Sequence, residues 1–310
     1  ILGRPVAEDA LILGISGRYE FKNKGIDVFI DAMGQLNRNN GLGKEVLAFI
    51  LVPAGHAGAN KELLHNLELP YQAVTSTDLY LTHYLNDSAN DPVMNRIRAQ
   101  KLRNSEEDKV KIFFVPSYLN GDDGVFNMPY YDLLVGMDLT AFPSYYEPWG
   151  YTPLESLAFK VPTITTTLAG FGLWVKEHYN MNHPGIEVIH REDGDASNVA
   201  TAIAEWVKNY TQVGETEMQK DRDNAKDVSR IALWDNLINY YKQAYTIALN
   251  QVSERLKDLP ANMNESVSYI EKQLTVNNPS WVSVMIHRSI PEKLIALEEL
   301  SKNLWWAWNE

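Results

Sequence analysis

The sequence predicts an α/β fold, in which a mostly parallel β-sheet carries helices on both faces. Short apolar runs typical of buried strands recur along the chain, and segments with helical spacing of apolar residues separate them. Strand alternating with helix is typical of a parallel sheet that is covered on both sides. With 310 residues, of which 45% are hydrophobic, the chain is long enough to bury a sizeable core.

Six apolar runs are predicted as strands, at residues 10–16, 45–53, 110–116, 139–143, 161–166 and 186–190. The helical pattern predicts helices at 25–37, 130–137, 152–159, 197–210 and 290–310, and indicates helical structure over about 216–259. Asp91 and Pro92 have the pattern of an N-cap followed by proline at the first helical position. Ser197 is the expected N-cap of the helix that it opens. Sheets of this kind bind ligands beyond the carboxyl ends of their strands, so the residues that follow each strand are the candidates for a site.

Composition excludes several classes of protein. The net charge of −12 argues against a nucleic-acid partner, and the lack of cysteine excludes disulfides and thiol catalysis. No apolar run approaches the ~20 residues needed to cross a bilayer, so we expect a cytoplasmic protein without a membrane partner. The seven histidines lack metal-binding spacing, and there is no P-loop. We therefore expect no metal and no cofactor.

The loop after the first strand, residues 17–25, carries Arg18 and Lys24 and leads into a helix. Two cations beside the free amides of a helix N-terminus suit a diphosphate. The alternative is a pair of solvated surface cations.

A second candidate segment is 142–155, which follows another predicted strand. Glu147 precedes the expected helix, and Glu155 is expected in its first turn. Both carboxylates can accept hydrogen bonds from sugar hydroxyls, and the helix start offers phosphate-binding amides, at Tyr151, Thr152 and Leu154. The alternative is a pair of glutamates that only stabilise the helix end.

Three further residues have weaker signals. Gly170 and Gly172 could let backbone approach a ligand closely, although a plain turn has the same pattern. Tyr130 opens a short helix and could stack on a base, although core packing is the usual role of such a residue.

These segments together resemble the eukaryotic-type glycogen synthases, which are retaining GT-B glycosyltransferases. The resemblance lies in residues 17–33, 82–119, 142–156 and 165–172, in the same order, and extends over about 11–241. The string Glu-Pro-Trp-Gly-Tyr-Thr-Pro, at 147–153, is its most specific part. The resemblance implies a Rossmann-like parallel sheet, which would be the C-terminal, donor-binding domain of the GT-B fold, followed by C-terminal helices.

The resemblance also implies roles for residues. Arg18 and Lys24 would bind the donor diphosphate, Glu147 the transferred glucose and Glu155 the ribose. Tyr130 would stack on uracil, and backbone amides from Gly150 to Leu154 would complete a phosphate site that needs no metal. The implied reaction transfers glucose from UDP-glucose, or ADP-glucose, to the 4-hydroxyl of an α-1,4-glucan such as glycogen, with retention.

The sequence departs from this family in several places. Only nine residues precede the first strand, so the N-terminal synthase domain is not expected in this chain, which should bind nucleotide without transferring sugar. The arginine-rich regulatory helix keeps only Arg222, Lys226 and Arg230 among interleaved aspartates, so activation by a sugar phosphate is not expected. Residues 54–81 are shorter than the family's assembly insertion.

The tail at 291–310 resembles the start of bacterial α-glucan phosphorylases, which implies a fusion. We expect a donor-binding domain at 1–250, a helical linker at 251–275 and the beginning of a phosphorylase-like region at 276–310. The alternatives are another retaining GT-B enzyme, or a non-catalytic glucan- or nucleotide-binding module that tethers a phosphorylase.

Overall fold

The computed structural model describes residues 1–39, 41–70, 78–179 and 185–257, with side chains to residue 251. The chain divides into two compact units, Ile1–Ile231 and a second that begins at Ala232. This division falls before the domain boundary expected at residue 250. Most of the expected linker and the whole phosphorylase-like region lie outside the described residues.

The first unit alternates strands and helices along its length. Its strands are β1 (Leu11–Ser16), β2 (Val46–Leu51), β3 (His56–Ala59), β4 (His83–Leu85), β5 (Val110–Val115), β6 (Leu139–Ala141), β7 (Thr163–Thr166) and β8 (Ile186–Ile189). Its helices are α1 (Ile26–Arg38), α2 (Lys61–Leu67), α3 (Pro92–Ala99), α4 (Tyr130–Leu134), α5 (Tyr151–Ala158), α6 (Gly170–His178), α7 (Ala196–Tyr210) and α8 (Glu215–Arg230). The second unit contains α9 (Trp234–Lys257).

Six of the strands form one sheet in the order β5-β2-β1-β6-β7-β8, and every neighbouring pair is parallel. The prediction of a mostly parallel sheet with flanking helices is therefore confirmed. The chain builds outward from β1 to β2 and β5, and then returns to β1 to build β6, β7 and β8 on its other side. The strand order thus reverses between β1 and β6, which is where a sheet of this kind opens a crevice at its carboxyl edge.

Alternation along β1 and β2 divides the core between the two faces of the sheet. Leu11, Leu13 and Ile15 pack into a large apolar cluster, together with residues of α1, α3 and α7. Ile12 and Phe49 point the other way and pack against a smaller cluster that includes Leu134 of α4. These two clusters hold the sheet edge in place beneath the loops that follow its strands.

Some sequence expectations for the helices are wrong. Ser197 lies inside α7, whose N-cap is Asp195, without a side-chain capping bond. Because α5 begins at Tyr151, Glu155 lies in its second turn and not in its first. The region of helical pattern over about 216–259 contains α8 and α9, which are separated at 231–233.

The predicted cap of α3 is confirmed, and several short elements of the structure have no counterpart in the sequence prediction. Asp91 caps α3 by accepting from the Met94 amide at 3.0 Å, with Pro92 at the first helical position, as predicted. The small antiparallel pair β3–β4 and helix α2 were not predicted, since their short polar segments have no clear apolar period. No helix among the described residues is long and apolar enough to cross a membrane.

Asp221 on α8 is a carboxylate with only 3% of its surface exposed. Burial raises its pKa to about 6, and repulsion from Glu217 acts in the same direction. The folded protein therefore binds the proton more tightly than the unfolded chain does. Ionised Asp221 opposes folding above pH 6, and stability increases as the pH falls from about 6 towards the ordinary value of 3.8.

We predict that Asp221→Asn raises the free energy of unfolding at pH 7.5 by about 1–3 kcal/mol, because it removes a buried negative charge. The gain should vanish near pH 4, where Asp221 is protonated in the folded protein. Urea unfolding at both pH values measures this. Asp223→Asn, on the exposed side of the same helix, is the control and should not show this pH-dependent gain. An equal gain from Asp221→Asn at both pH values would contradict the assignment.

Candidate ligand-binding cleft

A cleft opens at the carboxyl edge of the sheet, where the strand order reverses between β1 and β6. It has two lobes that share Ser16, Gly17, Arg18 and Thr152. The small lobe has a volume of about 260 Å³ and the large lobe about 540 Å³. The other residues of the small lobe are Lys24, Phe142, Ser144, Glu147 and Tyr151. The other residues of the large lobe are Tyr19, Leu51, Pro53, Ser117, Tyr118, Leu119 and Tyr130.

The small lobe is dominated by an ion pair between Lys24 and Glu147. Lys24 Nζ donates to Glu147 Oε2, and the two side chains are only 17% and 22% exposed. They come from loops 123 residues apart in sequence, one after β1 and the other after β6. The pair therefore joins the two loops on either side of the strand-order reversal, and it places a cation and a carboxylate in the same small cavity.

The start of helix α5 forms another wall of the small lobe. Its N-cap is Gly150, with φ of 107°, and no side chain caps it. Tyr151 and Thr152, the first two helical residues, both line the lobe. A helix N-terminus concentrates unsatisfied amides and the positive end of the dipole. The α5 terminus can therefore receive an anion in the small lobe, at residues that the sequence singled out.

The start of α1 behaves differently from the expectation. The amides of Gly25, Ile26 and Asp27 donate to carbonyls of the preceding loop, those of Lys22 and Phe21. The expectation of free phosphate-binding amides at this helix is wrong, because the loop folds back and uses them itself. Lys24 reaches the small lobe by its side chain alone.

Arg18 lies at the shared rim of the two lobes. Its side chain is 78% exposed and pairs with Glu20, with an N–O distance of 2.9 Å. An exposed ion pair of this kind is weak, so Arg18 is free to turn towards a bound anion.

Tyr130 and Tyr131, adjacent at the start of α4, have different environments. Tyr130 lines the large lobe, and its hydroxyl hydrogen-bonds Ser16 Oγ at 2.7 Å. Burial raises its pKa to about 12; the charge on Glu155 contributes, and the bond to Ser16 opposes the shift. Tyr131 stacks on Phe159 and donates to Glu155 Oε1 at 3.1 Å. Of the two rings, Tyr130 is therefore the one that a ligand in the large lobe would meet.

Gly170 and Gly172 have a packing role in this structure. A Cβ on Gly170 would overlap the Pro148 carbonyl, and one on Gly172 would overlap the Thr166 carbonyl. The amide of Gly170 donates to the Glu147 carbonyl at 3.0 Å. These glycines let the start of α6 support the loop that carries Glu147. Neither lines the cleft described above, and their contact with a ligand stays a prediction.

The structure thus brings six of the eleven predicted site residues to the cleft, namely Arg18, Lys24, Tyr130, Glu147, Tyr151 and Thr152. Glu155, Gly150 and Leu154 are not among the lining residues. Glu155 accepts a hydrogen bond from Tyr131, Gly150 is the N-cap of α5, and Leu154 lies in the first turn of that helix. Sequence reasoning missed Ser16 and Tyr118, which line the cleft, and Arg191 behind it. All three lie at the end of a strand or within three residues after it. Inspection of every residue that follows a predicted strand would have identified them as candidates.

The cations of α8 are largely engaged by acidic groups. Arg222 binds Asp138 at 2.7 Å and the Met137 carbonyl at 3.2 Å, and Arg230 pairs with Asp227 at 3.0 Å. This arrangement favours a structural role for the helix. Among the described residues, no group of three or more His, Asp or Glu side chains is placed to hold a metal ion.

The family model and three similar proteins that match this chain carry the same description, glycogen synthase. The sequence model described as glycogen synthase matches residues 6–78 and 73–292. The chain is 28% identical over 307 residues to glycogen [starch] synthase isoform 2 of Saccharomyces cerevisiae, over 79% of this chain and 44% of that protein. It is 28% identical over 299 residues to the Neurospora crassa glycogen [starch] synthase, over 79% of this chain and 42% of that protein. For the liver enzyme of Rattus norvegicus the identity is 27% over 295 residues, with the same two coverages of 79% and 42%. The chain therefore spans less than half the length of these relatives.

We predict that Gly170→Ala lowers the melting temperature and alters the fluorescence of Trp149, because the new methyl group pushes the Glu147 loop outward. The cost should be about 1–3 kcal/mol, as for other overpacked sites. Gly214→Ala is the matched control, since a Cβ there meets nothing within 4 Å. Thermal unfolding and emission spectra of both variants measure the difference. Equal behaviour of the two variants would contradict the packing role of Gly170.

Proposed function

Because this chain belongs to the glycogen synthase family, we propose that its cleft binds the nucleotide-sugar donor for glucosyl transfer in glycogen synthesis. The observation that supports this most strongly is the Lys24–Glu147 pair beside the uncapped start of α5, at the reversal of strand order. The pair combines a phosphate-binding cation with a carboxylate suited to a sugar, within a single lobe of about 260 Å³.

In this proposal the small lobe receives the diphosphate of UDP-glucose or ADP-glucose. Lys24 supplies a point charge, Arg18 swings in from the rim with its planar fork, and the first amides of α5 complete the site. These groups neutralise the negative charge that grows on the diphosphate as it leaves, so the reaction needs no metal ion.

Glu147 would face the transferred glucose. Its carboxylate stabilises the positive charge that develops on the sugar ring as the bond from C1 to the phosphate oxygen breaks. The 4-hydroxyl of the glucan attacks C1 from the face that the diphosphate leaves. The new C1–O4 bond forms, and the hydroxyl proton passes to the departing phosphate oxygen. Configuration at C1 is thereby retained.

The nucleoside would lie in the large lobe. The volume of about 540 Å³ and the aromatic wall formed by Tyr130 suit a stacked base. In this proposal Glu155, whose carboxylate accepts from Tyr131 and acts electrostatically on Tyr130, also accepts hydrogen bonds from ribose hydroxyls. Stacking on Tyr130 suits uracil and adenine alike, so this proposal includes both UDP-glucose and ADP-glucose as donors.

We further propose that glucan elongation requires residues outside this chain, because the chain covers only 42–45% of the relatives that carry the synthase name. A fusion to an α-glucan phosphorylase remains a separate proposal. Its support is the sequence of the tail at 291–310, which lies outside the described residues.

We predict that calorimetric titration detects UDP or ADP binding to this chain, and that Lys24→Met weakens that binding at least tenfold. A hydrogen bond to a charged group contributes about 1.5–3 kcal/mol, and about 1.4 kcal/mol corresponds to tenfold. Lys160→Met is the control, because Lys160 pairs with Asp223 at an exposed site away from the cleft. If neither UDP, ADP nor their glucose conjugates bind, the donor-site proposal fails and a non-catalytic tethering module becomes the better account.

We predict opposite effects of Glu147→Gln on binding and on transfer. The substitution frees Lys24 and removes a negative charge beside the diphosphate, so UDP should bind a few-fold more tightly. Glucosyl transfer by a full-length synthase containing this chain should fall by roughly a hundredfold, the loss typical of a group that stabilises the transition state. Glu177→Gln, exposed on α6, is the control. Normal transfer by Glu147→Gln would rule out the catalytic role.

A further inference from the structure

The segment at 143–147, which we call the Glu147 segment, is held at several points by loops from other strand ends. The Tyr145 amide donates to the Asn23 carbonyl at 2.8 Å, in the loop that carries Lys24. The Glu147 amide donates to the Leu168 carbonyl at 3.2 Å, in the loop after β7. The position of the Glu147 carboxylate therefore depends on contacts that its own sequence neighbours do not supply.

Arg191, in the loop after β8, makes two contacts with the Glu147 segment. Its Nη1 donates to the Pro143 carbonyl, and its guanidinium carbon lies 5.3 Å from the centre of the Tyr145 ring. The residue is only 5% exposed, and its backbone amide donates to Thr167 Oγ1 at 3.0 Å. A planar guanidinium can donate a hydrogen bond and stack on an aromatic ring at once, which an ammonium group cannot do equally well.

The carbonyl that Arg191 binds also touches the loop of Lys24. Gly25 has φ of 69°, and a Cβ there would overlap the Pro143 carbonyl, so the two backbones are in direct contact. Gly25 directly follows Lys24 in the chain. One bond from Arg191 to Pro143 thus fixes the point where the two loops that bear the ion pair meet.

Arg191 also interacts electrostatically with Asp27, in the first turn of α1. Asp27 is 5% exposed and pairs with the exposed Lys22 at 2.9 Å. Burial lowers the pKa of the Arg191 guanidinium, and attraction to Asp27 opposes this effect. Removal of Arg191 would leave Asp27 with less compensation, and an uncompensated buried charge destabilises its surroundings.

We propose that Arg191 is a positioning residue of this cleft: it holds Pro143 and Tyr145 so that Glu147 meets Lys24 in the small lobe. Arg191 does not line either lobe as described, so it acts through the two loops and not by touching the ligand. The proposal rests on the function proposed for the cleft where it concerns UDP, and on geometry alone where it concerns the two loops.

The test uses Arg191→Gln and Arg191→Lys in the whole 310-residue chain. Arg191→Gln should speed hydrogen exchange of the Tyr145 and Glu147 amides at least tenfold, because their hydrogen bonds lose support. Because Glu147 then no longer holds Lys24, UDP should bind a few-fold more tightly, as in Glu147→Gln. Arg191→Lys keeps the charge beside Asp27 but cannot keep both contacts, so each of these two changes should be smaller than in Arg191→Gln.

A double-mutant cycle separates positioning from general stability. In the Glu147→Gln background Lys24 no longer has its ionic partner, so Arg191→Gln should change the affinity for UDP less than twofold. Arg222→Gln is the matched control, because Arg222 binds Asp138 and the Met137 carbonyl instead. It should lower the melting temperature while leaving the exchange of the Tyr145 and Glu147 amides and the affinity for UDP unchanged.

Unchanged exchange at Tyr145 and Glu147 in Arg191→Gln would overturn the proposal. So would an equal fold-change in UDP affinity with and without the Glu147 carboxylate, since that indicates a structural role only. If the unsubstituted chain binds no UDP, the donor-site function fails separately, and amide exchange alone then decides whether Arg191 positions the two loops.

Discussion

The cleft depends on one constraint of topology, the reversal of strand order between β1 and β6. Parallel strands bring their carboxyl ends to one edge, and at the reversal the loops on either side diverge and leave a crevice. Here the loop after β1 carries Lys24, and the loop after β6 carries Glu147. Lys24 and Glu147 are 123 residues apart in sequence. Their contact exists because β1 and β6 are hydrogen-bonded neighbours, with Leu13 opposite Leu139.

The sheet and the main parts of the cleft could be predicted from sequence because each follows from a local signal. The apolar runs that became β1, β2 and β5 differ from their predicted ranges by one or two residues at their ends. Three predicted site residues, Arg18, Lys24 and Glu147, follow predicted strands. All three line the cleft. The family resemblance supplied their roles, which the residues alone left open.

The sequence could not show how the backbone runs at the ends of the helices and strands. The α1 start looked open, but the loop before it turns back and uses the amides of Gly25 and Ile26. Ser197 looked like a cap, but α7 begins one residue before it. The glycines at 170 and 172 admit neighbouring carbonyls, a packing role that the residue pattern does not reveal. In each case the path of the backbone at the end of an element, which the residue pattern does not specify, decided the outcome.

The ion pair in the small lobe has a consequence for how the cleft interacts with the ions in solution. An unpaired lysine at a helix start would attract any small anion, and its affinity for a ligand would fall steeply as salt rises. Lys24 instead carries its own counter-ion, the carboxylate of Glu147. Simple anions must displace a partner that is attached to the same molecule and therefore present at high effective concentration. Simple salt anions therefore bind weakly in the cleft. A larger anionic ligand can replace the Glu147 carboxylate at Lys24, because it makes several contacts at once where a simple anion has only its charge.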